Sequence, residues 1–196
     1  MLDQVTLVIF TGLDRRPTEL GERERVEYML PNLAEPFRSV ILTGANANAY
    51  RDLGAEVVEI RGAEAGPLAT LQGALSNSRT VWNFCVSSSI PLLTPRVAAV
   101  LCEHCGDFPG IQAVVPRVKG GLLPLCALYA TSCSEAVSQA VRAGGTSVLD
   151  VLATVRLTLV DEACFNHQSG SPAFFLNVHN RKDLELVRSR LRQCPA

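Results

Sequence analysis

The stretch "VWNFCVSSSIPLLTP" (residues 81–95) decides how the rest of the chain is read. It opens as an apolar, aromatic and β-branched run, the composition of a buried strand. It then breaks into Ser87, Ser88 and Ser89, and Thr94-Pro95 follows as a helix start: a good N-cap with proline in the first helical position. A buried strand running through a polar loop into a helix is the repeating unit of parallel α/β folds, and ligands bind at such strand tips.

Working outward, similar apolar runs recur at 5–10, 39–43, 55–60, 112–117, 124–129, 156–160 and 173–178. Several are apolar nearly throughout, as expected of strands covered on both faces. Helical patterns lie between many of them. In "ERERVEYMLPNL", Val26, Met29, Leu30 and Leu33 fall on one helical face, and Pro31 predicts a kink or an early end. The helix after Thr94 is expected to stop near Gly106. Ser132 and Glu135 have capping-box spacing ahead of a helix that stops at Gly144-Gly145, and Asn180 with Asp183 resembles a looser cap before the last helix. The expectation is one α/β domain over residues 1–196: three layers, α/β/α, around a mostly parallel mixed sheet. The closely spaced later strands leave room for an antiparallel pair.

Composition narrows the function classes. The 196 residues carry a net charge of −1 with Lys and Arg scattered, which argues against a nucleic-acid or acidic-membrane partner. No apolar run reaches the length of a spanning helix. The opening "MLDQVTLVIF" reads as a first strand and not as a secretion signal. Seven cysteines, with Cys85 and Cys126 inside apolar runs, suit a reducing cytoplasm.

Four further segments carry candidate chemistry. "TGLDRRPTELG" (11–21) can offer backbone N–H groups and the Arg15/Arg16 pair to phosphate, or be an ordinary polar loop. "GPLATLQGAL" (66–75) opens a helix on Gly66 and Pro67, where backbone could meet a flat base. "CEHC" (102–105) has metal-binding residue types, yet zinc wants about four ligands and no second pair exists; it fits equally the end of an amphipathic helix. "FLNVHN" (175–180) places Asn177, His179 and Asn180 at a strand end, as ligands or as helix caps.

In this order the segments resemble the MobA-type molybdenum cofactor guanylyltransferases, within the nucleotide-diphospho-sugar transferase-like fold. "VIFTG" stands where the family has V-I-L-A-G-G. "GPLATLQGAL" is similar to G-P-L-A-G-hydrophobic-x-x-A-L, and "FCVSSSIPLLTP" stands at the family's strand followed by C-D-x-P. "VVPRVKGGLLPLCALY" is similar to V-P-x-x-x-G-x-x-x-P-L-x-A-L-Y, and "FFLNVHNRKDL" stands at F-x-N-hydrophobic-N-T-P-E-D-L. The resemblance implies transfer of GMP from GTP onto molybdopterin, with Mg²⁺ as cofactor and a molybdoenzyme or another cofactor-biosynthesis protein as partner. It implies Gly12, Gly66, Pro67 and Leu68 at the nucleotide, and Arg15 and Arg16 as catalytic cations. It puts Ser89 and Asn177 at the metal position.

The departures fall on charged groups. The signature L-A-G-G-x-S-x-R-M-G-x-D-K is broken: Leu13 replaces the second glycine, and no lysine stands between Gly12 and Gly21. Ser89 takes the place of the metal-binding Asp, in a register fixed by Pro91. Two readings therefore stand beside the enzyme. One is a non-catalytic homologue holding nucleotide, cofactor or a partner protein. The other is a transferase using CTP or a sugar phosphate.

Overall fold

A computed structural model describes residues 1–13, 21–60 and 66–166, together with Phe175, Asp183, Glu185 and Ser189. Arg15, Arg16, the cap at Asn180 and, apart from Phe175, the expected strand at 173–178 lie outside these residues.

Among the described residues eight strands share one sheet. They are β1 (Val5–Thr11), β2 (Ser39–Gly44), β3 (Glu56–Glu59), β4 (Trp82–Ser87), β5 (Ala113–Val118), β6 (Gly121–Leu122), β7 (Cys126–Ala130) and β8 (Leu157–Asp161). The order is β3-β2-β1-β4-β7-β5-β6, with β8 on the other edge of β5. Strands β3, β2, β1 and β4 run parallel, as does β8 beside β5. β7 is antiparallel to both β4 and β5, so the reversal foreseen among the later strands sits inside the sheet.

The helices are α1 (Glu22–Leu33), α2 (Pro67–Asn77), α3 (Pro95–Glu103), α4 (Ser134–Arg142), α5 (Val148–Leu152) and α6 (Ala163–Asn166). Because side chains alternate along a strand, the core divides in two. Leu7, Ile9, Phe84, Val86 and Leu128 pack with Val26 and Met29 of α1 and Leu101 of α3. Val8, Phe10, Cys85, Ala127 and Tyr129 pack with Leu68 and Leu71 of α2, Val137 of α4 and Val151 of α5. Both faces of the sheet are thus covered, which is why its central strands are apolar nearly throughout.

Local chemistry explains most helix ends and corrects two expectations. α1 passes through Pro31 and ends two residues later at Leu33, with Ala34 N–H donating to Leu30 O. The Ser132–Glu135 capping box does not form. Thr131–Cys133 winds into a 3₁₀ turn, Ser134 Oγ donates to Thr131 O at 2.6 Å, and α4 starts at Ser134. α4 stops at Gly144 as expected: its φ of +79° is the left-handed conformation that glycine adopts freely, and Gly145 N–H returns to Ala140 O. Thr94 precedes α3 with Pro95 first inside, but the Thr94 hydroxyl makes no cap bond, and α3 ends at Glu103, short of Gly106.

Among the described residues no helix is long and apolar enough to cross a membrane.

Candidate functional site

After β1 the chain crosses through α1 to β2, moves outward to β3, and returns through α2 to β4 on the opposite side of β1. The order reverses between β1 and β4, whose carboxyl ends lie side by side with a crevice at their tips. That is the switch point at which α/β sheets bind ligands. The tip of β1 carries Gly12, and the tip of β4 carries Ser87, Ser88 and Ser89.

Gly12 has φ +72°, and a Cβ there would meet Asn46 Oδ1 at 2.9 Å. Only glycine fits the turn without strain, and the turn aims the Gly12 N–H into the crevice. The three serines are spoken for. Ser87 Oγ and Ser89 Oγ lie 2.5 Å apart, and Ser89 N–H donates to Ser87 Oγ. Ser88 N–H donates to Phe10 O at 3.0 Å, closing the β1–β4 gap, while its carbonyl accepts from Arg25 Nε at 3.0 Å. Arg25 is a large charged side chain of α1 with only 1% of its surface exposed, lodged beneath the serine loop.

The crevice also holds a carboxylate. Glu22, the first residue of α1, turns back across the strand tips. Its Oε1 accepts from Gly12 N–H at 2.8 Å and from Ser88 Oγ at 2.6 Å. Its Oε2 accepts from Asn46 Nδ2 at 2.7 Å and from the Tyr50 hydroxyl at 3.2 Å. Asn46 and Tyr50 belong to the segment after β2, where Ala47–Leu53 forms a 3₁₀ turn. Burial, then the neighbouring Glu22 charge, push the Tyr50 phenol well above its ordinary pKa against the opposing charge of Arg25, so it stays a proton donor. Arg23 ties α1 to the same turn through an ion pair with Asp52 and a 2.9 Å bond to Ala49 O.

This arrangement bears on a metal. A carboxylate offers about four acceptor positions, and four donors already occupy those of Glu22. The Ser89 hydroxyl, at the expected metal position, is neutral and bound to Ser87. Among the described residues no cluster of three or more His, Cys, Asp or Glu side chains could hold a metal ion. These residues do not fit a magnesium ion anchored by protein carboxylate.

The remaining expected site residues are placed as follows. Gly66 is the N-cap of α2 and Pro67 its first residue, at the carboxyl edge of the sheet, and Gly66 O accepts from Thr70 N–H and Oγ1. The Leu68 side chain is fully buried in the core, so at that position only backbone can face a base. Arg15, Arg16 and Asn177 fall outside the described residues. In the "CEHC" segment Cys102 and Cys105 are half-buried at the end of α3, and His104 Nδ1 pairs with Asp107 at 2.9 Å. A depression of about 440 Å³ between α1 and the edge of the sheet, lined by Leu30, Val40, Leu53 and Glu56 among others, lies at the opposite ends of β2 and β3 from the crevice.

Glu22, Arg25, Asn46 and Tyr50 were not foreseen from the sequence. A signal existed for the first two: Glu22 lies four residues before Val26 and seven before Met29, and Arg25 four before Met29, so two charges share the apolar stripe of α1.

Comparison with known proteins agrees with this architecture. Residues 11–157 match the family model described as a MobA-like NTP transferase domain. A probable molybdenum cofactor guanylyltransferase from Pelotomaculum thermopropionicum is 28% identical over 177 residues, covering 90% of this chain and 85% of the relative. Another, from Carboxydothermus hydrogenoformans, is 25% identical and covers 89% of this chain and 86% of the relative. Among solved structures, the molybdopterin-guanine dinucleotide biosynthesis protein A of Archaeoglobus fulgidus superposes with a TM-score of 0.80 at 19% identity, over 97% of this chain and 100% of that one. The 2-C-methyl-D-erythritol 4-phosphate cytidylyltransferase of Thermus thermophilus superposes with a TM-score of 0.67 at 17% identity, over 96% and 99%. The two structural likenesses bear on the fold alone.

Proposed function

The chain belongs to the MobA-like NTP transferase family, and from that membership we propose that it attaches the nucleotide of the molybdenum cofactor, taking GMP from GTP onto molybdopterin. The carrying observation is the crevice between β1 and β4, where Gly12 N–H and Ser88 Oγ converge as donors and Arg25 lies beneath. In such a transfer an oxygen of the acceptor attacks the α-phosphorus of GTP, and the bond to pyrophosphate breaks. Donors fixed in the fold stabilise the negative charge on the phosphoryl oxygens. The backbone of Gly66 and Pro67, at the same edge of the sheet, is the base-facing element. No step is assigned to a metal ion.

A second reading, a homologue that binds nucleotide or cofactor without chemistry, is favoured by one observation: Ser89 is a hydroxyl bound to Ser87 where the family has a carboxylate. Losing one charge stabiliser in a transfer site costs roughly a hundredfold or more in rate. Calorimetry with GTP and CTP, with and without Mg²⁺, combined with a pyrophosphate-release assay in the presence of molybdopterin, separates the readings. GTP binding with pyrophosphate release supports the transferase. GTP binding with no release supports the binder. A preference for CTP counts against GTP as the nucleotide.

A further inference from the structure

Glu22 is placed where a charge is costly unless something holds it. It begins α1 on the stripe that, from Val26 onward, packs against the sheet, and its carboxylate reaches the tips of three neighbouring strands. One donor comes from the tip of β1 (Gly12 N–H), two from the segment after β2 (Asn46 Nδ2 and Tyr50 OH) and one from the tip of β4 (Ser88 Oγ). These groups are far apart in the chain, at separations of 10, 24, 28 and 66 residues from Glu22, so their convergence is a property of the fold and not of a local turn. Four donors aimed at one point, with none of them carrying a formal charge, form a site for an anion. Without an anion the three part-buried donors, Gly12 N–H, Tyr50 OH and Ser88 Oγ, would lose a partner in the crevice, which is unfavourable for each.

We propose that the Gly12, Asn46, Tyr50 and Ser88 donors constitute a phosphoryl-binding site that Glu22 fills in the ligand-free chain, so that Glu22 is a built-in competitor which an incoming phosphate must displace. A carboxylate and a phosphoryl group present similar oxygen acceptors, so the same donors serve either. Electrostatics forbid both at once: an ionised Glu22 and a polyphosphate would stand within hydrogen-bond range of one another, like charges in a partly desolvated crevice. Displacement is mechanically simple. Glu22 is the first residue of α1, and a change of its side-chain rotamers frees the donors without unwinding the helix. The inference deepens the nucleotide reading and rests on it for the choice of phosphate as ligand.

Pyrophosphate is the probe, titrated by calorimetry into the full chain and into Glu22→Ala without added metal. The variant is expected to bind pyrophosphate at least tenfold more tightly than the parent and to rise in melting temperature on its addition, while the parent does not. Adding Ser88→Ala or Asn46→Ala to Glu22→Ala is expected to reverse the gain. Equal pyrophosphate affinity in parent and variant overturns the proposal, as does a gain that survives loss of both Ser88 and Asn46. A variant that folds only when pyrophosphate is present supports it. Should Glu22→Ala fold in neither condition, Glu22→Gln keeps the shape and removes the charge, and the same titration decides with the same expected and overturning results. GTP binding absent from parent and variant alike, with the pyrophosphate difference intact, would sink the nucleotide reading and leave this inference standing.

Discussion

At the scale of single residues, the tips of β1 and β2 are governed by two glycines. Gly12→Ala puts a side chain into the left-handed region, which costs about 1–2 kcal/mol, and drives its Cβ to 2.9 Å from Asn46 Oδ1. The expected result is a lower urea midpoint together with weaker nucleotide binding, since Asn46 is one of the groups gathered around Glu22. Gly44→Ala is more severe, because its Cβ would stand 1.8 Å from the backbone oxygen of Thr11. Backbone cannot yield as a side-chain end can, so this variant is expected in the insoluble fraction, and normal soluble yield would contradict the close approach of the two strands. Ser89→Asp restores a carboxylate at the family's metal position. GTP binding by that variant is expected to tighten at least tenfold on adding Mg²⁺ while the parent's does not, and an unchanged titration would count against the placement.

At the scale of elements, β5 and β6 are joined by Lys119 and Gly120, both with positive φ, at +49° and +78°. Two such residues make a type I′ turn, whose twist matches that of the strands it joins. Lysine is poorly suited to that conformation and asparagine well suited, so Lys119→Asn should raise the urea midpoint by the equivalent of roughly 1 kcal/mol at most. Positions of the elements were largely legible. Within the described residues the apolar runs became strands within a residue or two, because the sheet is covered on both faces and its central strands have no polar side to interrupt them. Caps were less so: Ser132 has the right spacing from Glu135, yet a tighter turn at Thr131–Cys133 takes the segment and leaves the box unmade. The insertion of β7 between β4 and β5 was illegible beyond a hint of antiparallel pairing, since it depends on pairings such as Asn83 with Tyr129 that no local pattern encodes. Gly12 and the serine loop were readable because they sit at strand ends, where ligand chemistry concentrates. Glu22 was not, because all four of its partners are remote in the chain.

At the scale of the whole molecule, buried acids set the response to alkali. Burial pushes Cys133 up to about 12, and raises Cys85, Cys126 and Tyr129 well above their ordinary values. A thiol whose folded pKa exceeds its unfolded value near 9.0 contributes in full below that pH. Above it the unfolded chain sheds its proton first, so stability falls as pH climbs toward the folded value, by up to about 1.4 kcal/mol per pH unit for each group. Urea midpoints are expected to hold between pH 7 and 8.5 and to fall steeply from 9 to 11. Cys126→Val should make that fall shallower, and a flat profile across the range would contradict the burial of these groups. Half-buried against the core is the chain's single tryptophan. Trp82 begins β4, and the serine loop lies six residues further along, on the order of 20 Å away at the rise of an extended strand. An indole so far from the crevice should report collapse of the sheet and stay silent to what enters between the strand tips. Fluorescence melts of this molecule will therefore be clean, and fluorescence titrations with a nucleotide will look like failure even when every site is full.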